Sequence, residues 1–343
     1  MMFKRFLSVI AACAVLVFSG CGRSEPDADP VSSTVGVTSG GTSNAASDAS
    51  SDAAESSSVE SFEVTPPFFK VTDESTGAVV YMLGSMHVGK PGASYPQELF
   101  DAIDECDTLA VEVDIQALET DIAAMTEAVQ LMLCPKGTTV KDYMGEDYNE
   151  IIREFRKKDL YNPIYEYYIP SMWSSLWSNK AAAECGFDSS IGTDLILLSY
   201  AKEHGKQIDE IESAREQYQM EAEISPELQM LTLKQTLKLS QEEIQEQFDI
   251  LYDAWRTADT ETLKKLAEDE SNEELSEELE ADYQAYYDAM YTNRQKKMSD
   301  YVIGELNAGR KTFVVVGAMH YAAPPSILDN LAESGYEIEY LNQ

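Results

Sequence analysis

Short apolar runs that end at glycine alternate along this chain with longer segments of helical spacing. The clearest run, Thr312–Val316, consists of β-branched and aromatic residues and is followed by Gly317. Runs of this kind predict β-strands. The pattern predicts strands over residues 79–83, 108–113, 208–211, 312–316 and 336–340. Because the short apolar strands lead directly into helices, a largely parallel sheet is expected.

Helical spacing accounts for most of the remaining chain. Apolar residues recur every three or four positions in segments 96–105, 116–133, 141–204, 226–307 and 326–334. Strands near both ends and helices between them predict one α/β domain over residues 61–343. We expect a mixed, largely parallel sheet covered by helices, with a large helical insertion at about 141–300.

The first sixty residues have a different character. A short basic segment precedes Leu7–Phe18, an apolar run too short for a comfortable membrane span and typical of a signal peptide. Small residues then lead to Cys21, which resembles a bacterial lipobox. We therefore expect a signal peptide over residues 1–20 and a lipidated Cys21, with ordinary secretion as the alternative. Residues 21–60, rich in Ser, Thr, Ala and Asp, would form a flexible linker to an extracytoplasmic body.

The net charge excludes several classes of partner. Lysine and arginine total 25 against 61 aspartate and glutamate residues, which gives a formal net charge of −36. Such a surface repels phosphate backbones, so nucleic acid is not an expected partner. Adsorption to anionic lipid through a basic patch is equally disfavoured. Attachment to the cell membrane would depend on the lipid anchor.

The cysteines of the predicted body do not form a recognisable framework. Cys106, Cys134 and Cys185 are too few for a disulfide scaffold and are not spaced as a metal or redox motif. We expect them to be small buried side chains, and a Cys134–Cys185 bridge is left open.

Two of the three histidines stand in almost the same context. The sequence GSMH follows one predicted strand and ends at His87, and GAMH follows another and ends at His320. Glycine allows a sharp turn, so each imidazole is expected at the carboxyl edge of the sheet, where ligands bind in α/β proteins. Glu112 lies in a third predicted strand and is expected at the same edge, although a solvent-exposed or ion-paired role is also open.

Two imidazoles and a carboxylate suit a divalent transition metal with open positions for water and substrate. The sequence therefore predicts a metal centre, occupied by manganese, cobalt or zinc, on His87, His320 and Glu112. A metal of this kind acidifies bound water and polarises carbonyl groups, which is hydrolytic chemistry. A single histidine after a glycine turn is more often structural, and the duplicated context is what favours the metal here.

Further segments accompany the duplicated motif. They are the stretch from Val314 to Tyr336, Gly192-Thr193-Asp194 before a helix, the segment Ile211–Gln219, and Arg294. Together with the two G-x-x-H motifs and Glu112, they resemble the TraB/GumN family over about residues 70–341. That family includes the Tiki proteins, described as metal-dependent proteases of secreted signalling peptides, and bacterial pheromone-shutdown proteins. The resemblance implies a fold of the erythromycin-esterase and ChaN type.

The resemblance also implies that Glu112, Glu212, Asp194 and Arg294 are catalytic residues. Glu212 or Asp194 would accept a proton, and Arg294 would clamp a carboxylate. Each has a plainer alternative. Asp194 and Glu212 are placed where they could cap the following helices, and Arg294 could form an ordinary salt bridge.

The expected function is that of an extracytoplasmic, metal-dependent hydrolase anchored to the membrane as a lipoprotein. The resemblance favours a peptidase that acts on a secreted or signalling peptide, or on another small secreted substrate. The alternative is a non-catalytic cell-surface protein that captures a peptide, a metal or haem, since the ChaN branch is associated with haem.

Overall fold

The computed structural model describes residues 61–268 and 275–342. The predicted signal peptide, the lipidated Cys21 and the linker lie outside these residues. Within the described ranges, none of the helices combines the length and the apolar character that crossing a membrane requires.

A six-stranded mixed sheet forms the centre of the described structure, in the order β6-β5-β7-β3-β2-β8. Strands β6, β5, β7 and β3 are parallel, whereas β2 and β8 add an antiparallel edge. Two short strands, β1 and β4, pair separately. The strands are β1 Phe62–Glu63, β2 Phe68–Asp73, β3 Ala78–Ser85, β4 Ala93–Ser94, β5 Thr108–Val111, β6 Gln207–Glu210, β7 Lys311–Gly317 and β8 Ile338–Tyr340. The predicted fold class, a mixed and largely parallel sheet covered by helices, is confirmed.

The strand prediction missed β1, β2 and β4 and placed the end of β5 too late. Strand β2 was not predicted, because its short segment follows two prolines and alternates only weakly between apolar and polar residues. Strand β5 ends at Val111, so Glu112 lies immediately after the strand. The chain turns there because Asp114 caps the next short helix through the backbone N–H of Ala117.

Helices cover both faces of the sheet and fill the connections between strands. They are α1 Gln97–Glu105, α2 Ile115–Leu118, α3 Ile122–Leu131, α4 Val140–Met144, α5 Tyr148–Lys157, α6 Pro170–Glu184, α7 Thr193–Glu203, α8 Ala214–Glu223, α9 Pro226–Lys238, α10 Gln241–Arg256, α11 Thr260–Glu268, α12 Glu277–Tyr287, α13 Asn293–Asn307 and α14 Ile327–Glu333. Short 3-10 turns occur at Gly145–Asp147, Pro163–Tyr167, Ser189–Ile191 and Ala318–Tyr321, and a π-turn spans Asp288–Thr292.

Capping residues explain where several predicted helices differ from the observed ones. The predicted helix 116–133 is divided in two, because the Asp121 side chain accepts bonds from the N–H groups of Ala123 and Ala124 and starts a new helix. Pro96 precedes α1 as its extended N-cap, whereas the prediction placed it in the first turn. The Ser326 hydroxyl begins α14 through a capping box with Asp329, as the sequence pattern predicted for 326–334.

Both faces of the parallel strands are buried. One face packs on α13 and α14 through Val80, Met82, Val314, Val316, Met298, Val302, Ile327 and Leu331. The other packs on α1 and α7 through Tyr81, Leu83, Phe313, Val315, Leu99, Ile103, Leu197 and Leu198. Each side chain of this size contributes about 1.5–3 kcal/mol by burial. The carboxyl ends of these strands are therefore held rigidly, which fixes the positions of the residues that follow them.

The helical insertion has its own apolar cluster. Trp173 and Trp177 of α6 pack with Phe155 of α5 and with partly buried tyrosines that include Tyr161 and Tyr165. These aromatic side chains therefore belong largely to the core of the insertion. Cys106, Cys134 and Cys185 all carry free thiols, so no Cys134–Cys185 bridge is present.

Candidate functional site

The candidate site lies at the carboxyl edge of the parallel strands. Ser85 at the end of β3 stands in register with Gly317 at the end of β7, and Val111 of β5 stands opposite Val315. His87, Glu112 and His320 follow these positions by one to three residues. Because the strands are parallel and level, the three side chains are brought to one edge although 233 positions separate the histidines in the sequence.

His87 is held by an aspartate from α7. Its Nδ1 lies 2.8 Å from Asp194 Oδ2, and the other oxygen of Asp194 accepts a hydrogen bond of 2.8 Å from the Ser85 hydroxyl. The imidazole therefore presents Nε2 away from Asp194. The backbone approaches closely here, since a Cβ on Gly192 would lie 2.4 Å from the carbonyl oxygen of His87. Only glycine fits at that position.

Glu112 lies at the centre of a hydrogen-bonded network. Its Oε1 accepts a bond of 2.6 Å from the backbone N–H of Gly317. Its Oε2 accepts bonds of 2.6 Å from Arg294 Nη2 and 3.2 Å from Gln217 Nε2. The carboxylate is buried, and these bonds compensate for its desolvation.

His320 stands on the 3-10 turn that follows β7. Its Nε2 lies 3.8 Å from Glu112 Oε1, and its ring centroid is 5.8 Å from that of Tyr291. The residue is buried, and its Nδ1 has no hydrogen-bond partner within the described part of the chain. An imidazole nitrogen left unsatisfied in a buried position is the kind of atom that a ligand completes.

Gly317 separates these three polar groups. A Cβ on this residue would lie 3.3 Å from Glu112 Oε1, 3.9 Å from His87 Nε2 and 3.8 Å from His320 Cδ2. Atoms of all three side chains therefore surround the same point. A larger residue at 317 would intrude between them.

Arg294 joins two buried glutamates. Its Nε bonds both oxygens of Glu212, at 2.9 and 3.0 Å, and its Nη2 bonds Glu112 and Glu212 at 2.6 and 2.8 Å. Gln217 of α8 also donates to both glutamates. The π-turn 288–292 lies directly before α13, the helix that carries Arg294. Irregularities of this kind in a helix are frequent at functional sites.

Burial and neighbouring charges shift the pKa values of three side chains in the site. Burial alone would raise the pKa of Glu112, but Arg294, His320, His87 and the Gly317 N–H lower that pKa to about 2. Burial lowers the pKa of His87, yet the charge and hydrogen bond of Asp194 raise it to about 9. Burial and the positive charge of Arg294 lower the pKa of His320 to about 3, so this imidazole is neutral at pH 7. The two histidines of the repeated motif thus have opposite electrostatic environments.

The structure decides between the alternatives for the other candidates. Asp194 bonds His87 and Ser85 and does not cap α7, whose N-cap is Gly192. Ser213 caps α8, so Glu212 is free to pair with Arg294. His204, the third histidine of the chain, stacks on Tyr200 at the end of α7.

Two residues of the network were not singled out from the sequence. Ser85 fixes Asp194, and Gln217 bridges the two glutamates. Ser85 lies inside the repeated G-x-x-H motif and Gln217 inside the segment that resembles the family. Their positions in these motifs could therefore have marked both residues as candidates. The residues to which they bond could not be predicted in this way.

The donor groups agree in kind with a divalent metal. Across residues 61–268 and 275–342, no group of three or more His, Cys, Asp or Glu side chains has an arrangement that could hold a metal ion. However, two donors of a tetrahedral zinc ion lie roughly 3.4 Å apart, and His320 Nε2 and Glu112 Oε1 lie 3.8 Å apart. The oriented His87 and the space beside Gly317 also fit. A metal would require these side chains to move closer together.

Fold and site together define an α/β protein with a histidine–carboxylate centre at the carboxyl edge of a largely parallel sheet. The chain belongs to the TraB/PrgY/gumN family, whose family model matches residues 67–340. This match confirms the family that the sequence motifs resemble. No curated protein and no solved structure matches the chain.

Proposed function

We propose that this protein is a metal-dependent hydrolase, and that its substrate is a secreted or signalling peptide. The observation that carries the proposal is the arrangement around Gly317, where atoms of His87, Glu112 and His320 surround one point at the edge of the sheet. Two imidazoles and one carboxylate are a common set for a catalytic metal. The choice of a peptide as the substrate is supported only by the family to which the chain belongs.

The metal would be held by His87, His320 and Glu112, and manganese, cobalt and zinc all accept such donors. When bound, it supplies a water of lowered pKa and polarises the substrate carbonyl. Only an unprotonated nitrogen can ligate. His320 is neutral at pH 7 and could ligate directly, whereas His87, whose pKa is raised to about 9, would have to lose its Nε2 proton for the metal to bind.

The chain's other residues would position this centre. Asp194, fixed by Ser85, orients the His87 ring so that Nε2 faces Gly317. Arg294 keeps Glu112 ionised and in place, and Glu212 holds Arg294. We therefore propose that Asp194 and Glu212 act mainly through His87 and Arg294, because both carboxylates are already hydrogen-bonded to them.

A second candidate function is capture without turnover. It is favoured by the ion pairs of Arg294, which already engage Glu112 and Glu212 within the chain itself. A network whose charged groups are paired in this way can present a rigid binding surface for a peptide, a metal or haem without chemistry.

We propose an extracytoplasmic location, with the body attached to the cell membrane through a lipidated Cys21. The support is the sequence pattern of residues 1–21, an apolar run followed by small residues and a cysteine. A membrane location agrees with a substrate that is itself secreted.

Metal binding by the full-length protein tests the metal proposal. Elemental analysis and melting temperature, with added manganese, cobalt or zinc, would be compared for the native protein and its His87→Ala/His320→Ala double variant. We expect stoichiometric metal and a metal-dependent rise in melting temperature only in the native protein. A ligand at 100 times its Kd stabilises the folded state by about 2.7 kcal/mol.

The matched control is His204→Ala, which removes the remaining histidine of the chain and leaves the candidate site intact. It should behave like the native protein. Equal metal content and melting behaviour in the native protein and the double variant would refute the metal centre and leave capture as the better proposal. If metal binds, a peptide library screened for cleavage distinguishes a hydrolase from a metal-loaded binding protein.

A further inference from the structure

Glu221 is a buried acid that has no partner among residues 61–268 and 275–342. Among the described residues, the other acids that are buried to a similar degree all have hydrogen bonds or ion pairs: Glu112, Asp114, Asp194, Glu212 and Glu305. Glu221 is 7% exposed. No hydrogen bond or ion pair joins it to any residue in the described part of the chain. This carboxyl group therefore lacks the compensation that the other buried acids have.

The helix that carries Glu221 places it beside the candidate site. Gln217 and Glu221 are four residues apart on α8 and so lie on the same helical face. The Gln217 amide reaches Glu112 and Glu212, at 3.2 and 3.0 Å. Glu221 thus lies about one helical turn, roughly 6 Å along the axis, from a group that contacts the centre.

The charged and titratable groups around Glu221 do not neutralise it. Arg294 of α13 attracts it electrostatically, but that guanidinium is already committed to Glu112 and Glu212. Tyr286 of α12 is close enough that the charge of Glu221 raises the pKa of its hydroxyl. On the facing helix α3, Glu127 pairs with Arg215. Burial consequently raises the pKa of Glu221 to about 7, despite the opposing effect of Arg294.

The surroundings are suited to a cation that comes from outside the chain. Tyr286, whose pKa the charge of Glu221 raises, packs in one cluster with Met220, Met290, Tyr287 and Tyr291. Tyrosine rings attract ammonium and guanidinium groups, and an unpaired buried carboxylate gains most from a positive partner. A cation bound there would ionise Glu221 and complete its interactions. The net charge of −36 would also draw cationic ligands towards the protein.

We propose that Glu221 binds a positively charged group of the peptide ligand, an alkylammonium or a guanidinium, one helical turn from the histidine–carboxylate centre. The proposal deepens the proposed function, on which it rests for the identity of the ligand as a peptide. Binding of the cation itself does not require hydrolysis or a metal.

Calorimetric titration of the full-length protein tests this proposal. The titration is done at about pH 7.5, where most of the Glu221 carboxyl is ionised because its pKa is about 7. The probes are N-acetyl-arginine amide, N-acetyl-lysine amide and norleucine amide, which carry a guanidinium, a side-chain ammonium and an α-ammonium group. Their neutral counterparts are N-acetyl-citrulline amide and N-acetyl-norleucine amide. We expect at least one cationic probe to bind about tenfold or more tightly than its counterpart, and the probe that binds identifies the source of the charge.

Two variants localise the effect. Glu221→Gln keeps the shape of the side chain and should lose the preference for the cationic probe. Glu223→Gln removes the same charge from an exposed position on the same helix and should retain the preference. The native protein provides an independent test if Glu221→Gln does not fold. Below the pKa of Glu221 the carboxyl is protonated, so affinity for the cationic probe should fall about tenfold for each further pH unit.

Three results would overturn the proposal. They are equal binding of the cationic and neutral probes, an equal loss of the preference in both variants, or an affinity for the cationic probe that does not change between about pH 5 and pH 7.5, an interval that includes the pKa of Glu221. None of these concerns turnover or metal. A protein that binds the cation but cleaves no peptide would retain this site and would refute only the hydrolase.

Discussion

At the scale of single residues, Gly317 controls how closely the polar groups of the site approach one another. Its missing side chain leaves a space bounded by Glu112 Oε1, His87 Nε2 and His320 Cδ2. Its backbone N–H also bonds Glu112 directly. Gly317 therefore has two effects. Its backbone N–H orients the Glu112 carboxylate, and its lack of a side chain leaves room for a ligand beside that carboxylate.

We expect Gly317→Ala to weaken metal binding by about 10- to 100-fold, the range seen when groups that support metal ligands are changed. The added Cβ would lie 3.3 Å from Glu112 Oε1, so the carboxylate must shift. Calorimetric titration with zinc or manganese measures the effect.

Gly304→Ala is the matched control for this substitution. Gly304 lies within α13 and has no atom within 4 Å of an added Cβ. Alanine there should leave metal binding unchanged and stabilise the protein by about 0.5–1 kcal/mol, because glycine is a poor helix former. Unchanged metal affinity in Gly317→Ala would contradict the placement of the metal beside residue 317.

At the scale of elements, the site depends on one irregular helix. Helix α12, the π-turn 288–292 and α13 follow one another without interruption, and Arg294 stands in the first turn of α13. The rest of α13 packs on the sheet through Met298, Val302 and Leu306. The apolar face of this helix therefore anchors the guanidinium that holds two buried glutamates.

We expect Arg294→Met to destabilise the protein by about 3–5 kcal/mol, since it leaves the buried Glu112 and Glu212 without their cation. Urea unfolding followed by circular dichroism measures this loss. Lys296→Met is the control on the same helix, because its exposed pair with Asp300 contributes less than about 1 kcal/mol. Similar losses for the two variants would show that Arg294 is not the electrostatic centre of the network.

At the scale of the whole molecule, the sheet joins the two ends of the body. Strand β3 near the start pairs in parallel with β7 near the end, over seven residue pairs. This long-range pairing brings the two G-x-x-H motifs together, and the intervening helices form the insertion. The region matched by the family, residues 67–340, is nearly the whole of the described structure.

We expect the full-length protein to fractionate with membranes, and Cys21→Ala to release it into the soluble extracytoplasmic fraction. The physical reason is that acyl chains on Cys21 would be the membrane attachment of a protein whose net charge of −36 disfavours anionic lipid. Detergent phase partitioning and incorporation of labelled fatty acid measure the anchor. Cys134→Ala, which alters a partly buried thiol of the body, is the control. A soluble native protein without fatty acid would support ordinary secretion.

The sequence by itself determined the fold class and the main strands of the site. The runs at 79–83 and 312–316 predict buried strands because apolar β-branched residues on both faces suit a covered parallel sheet. The repeated motif selected His87 and His320 as candidates, since a local pattern of strand, glycine and histidine does not depend on distant contacts. The helix predicted over 326–334 is equally local and agrees closely with α14, Ile327–Glu333.

Only the tertiary structure decided how the charged residues are paired. Whether Asp194 capped a helix or held His87, and whether Glu212 met Arg294, depended on contacts between residues 82 to 107 positions apart. Strand β2 and the point at which β5 ends also depended on neighbouring strands and turns. Local patterns report the period of burial, whereas the partner of a buried charge is fixed by which elements pack together. Glu221, which has no partner in the part of the chain that the structure describes, is an example of a feature that local patterns could not predict.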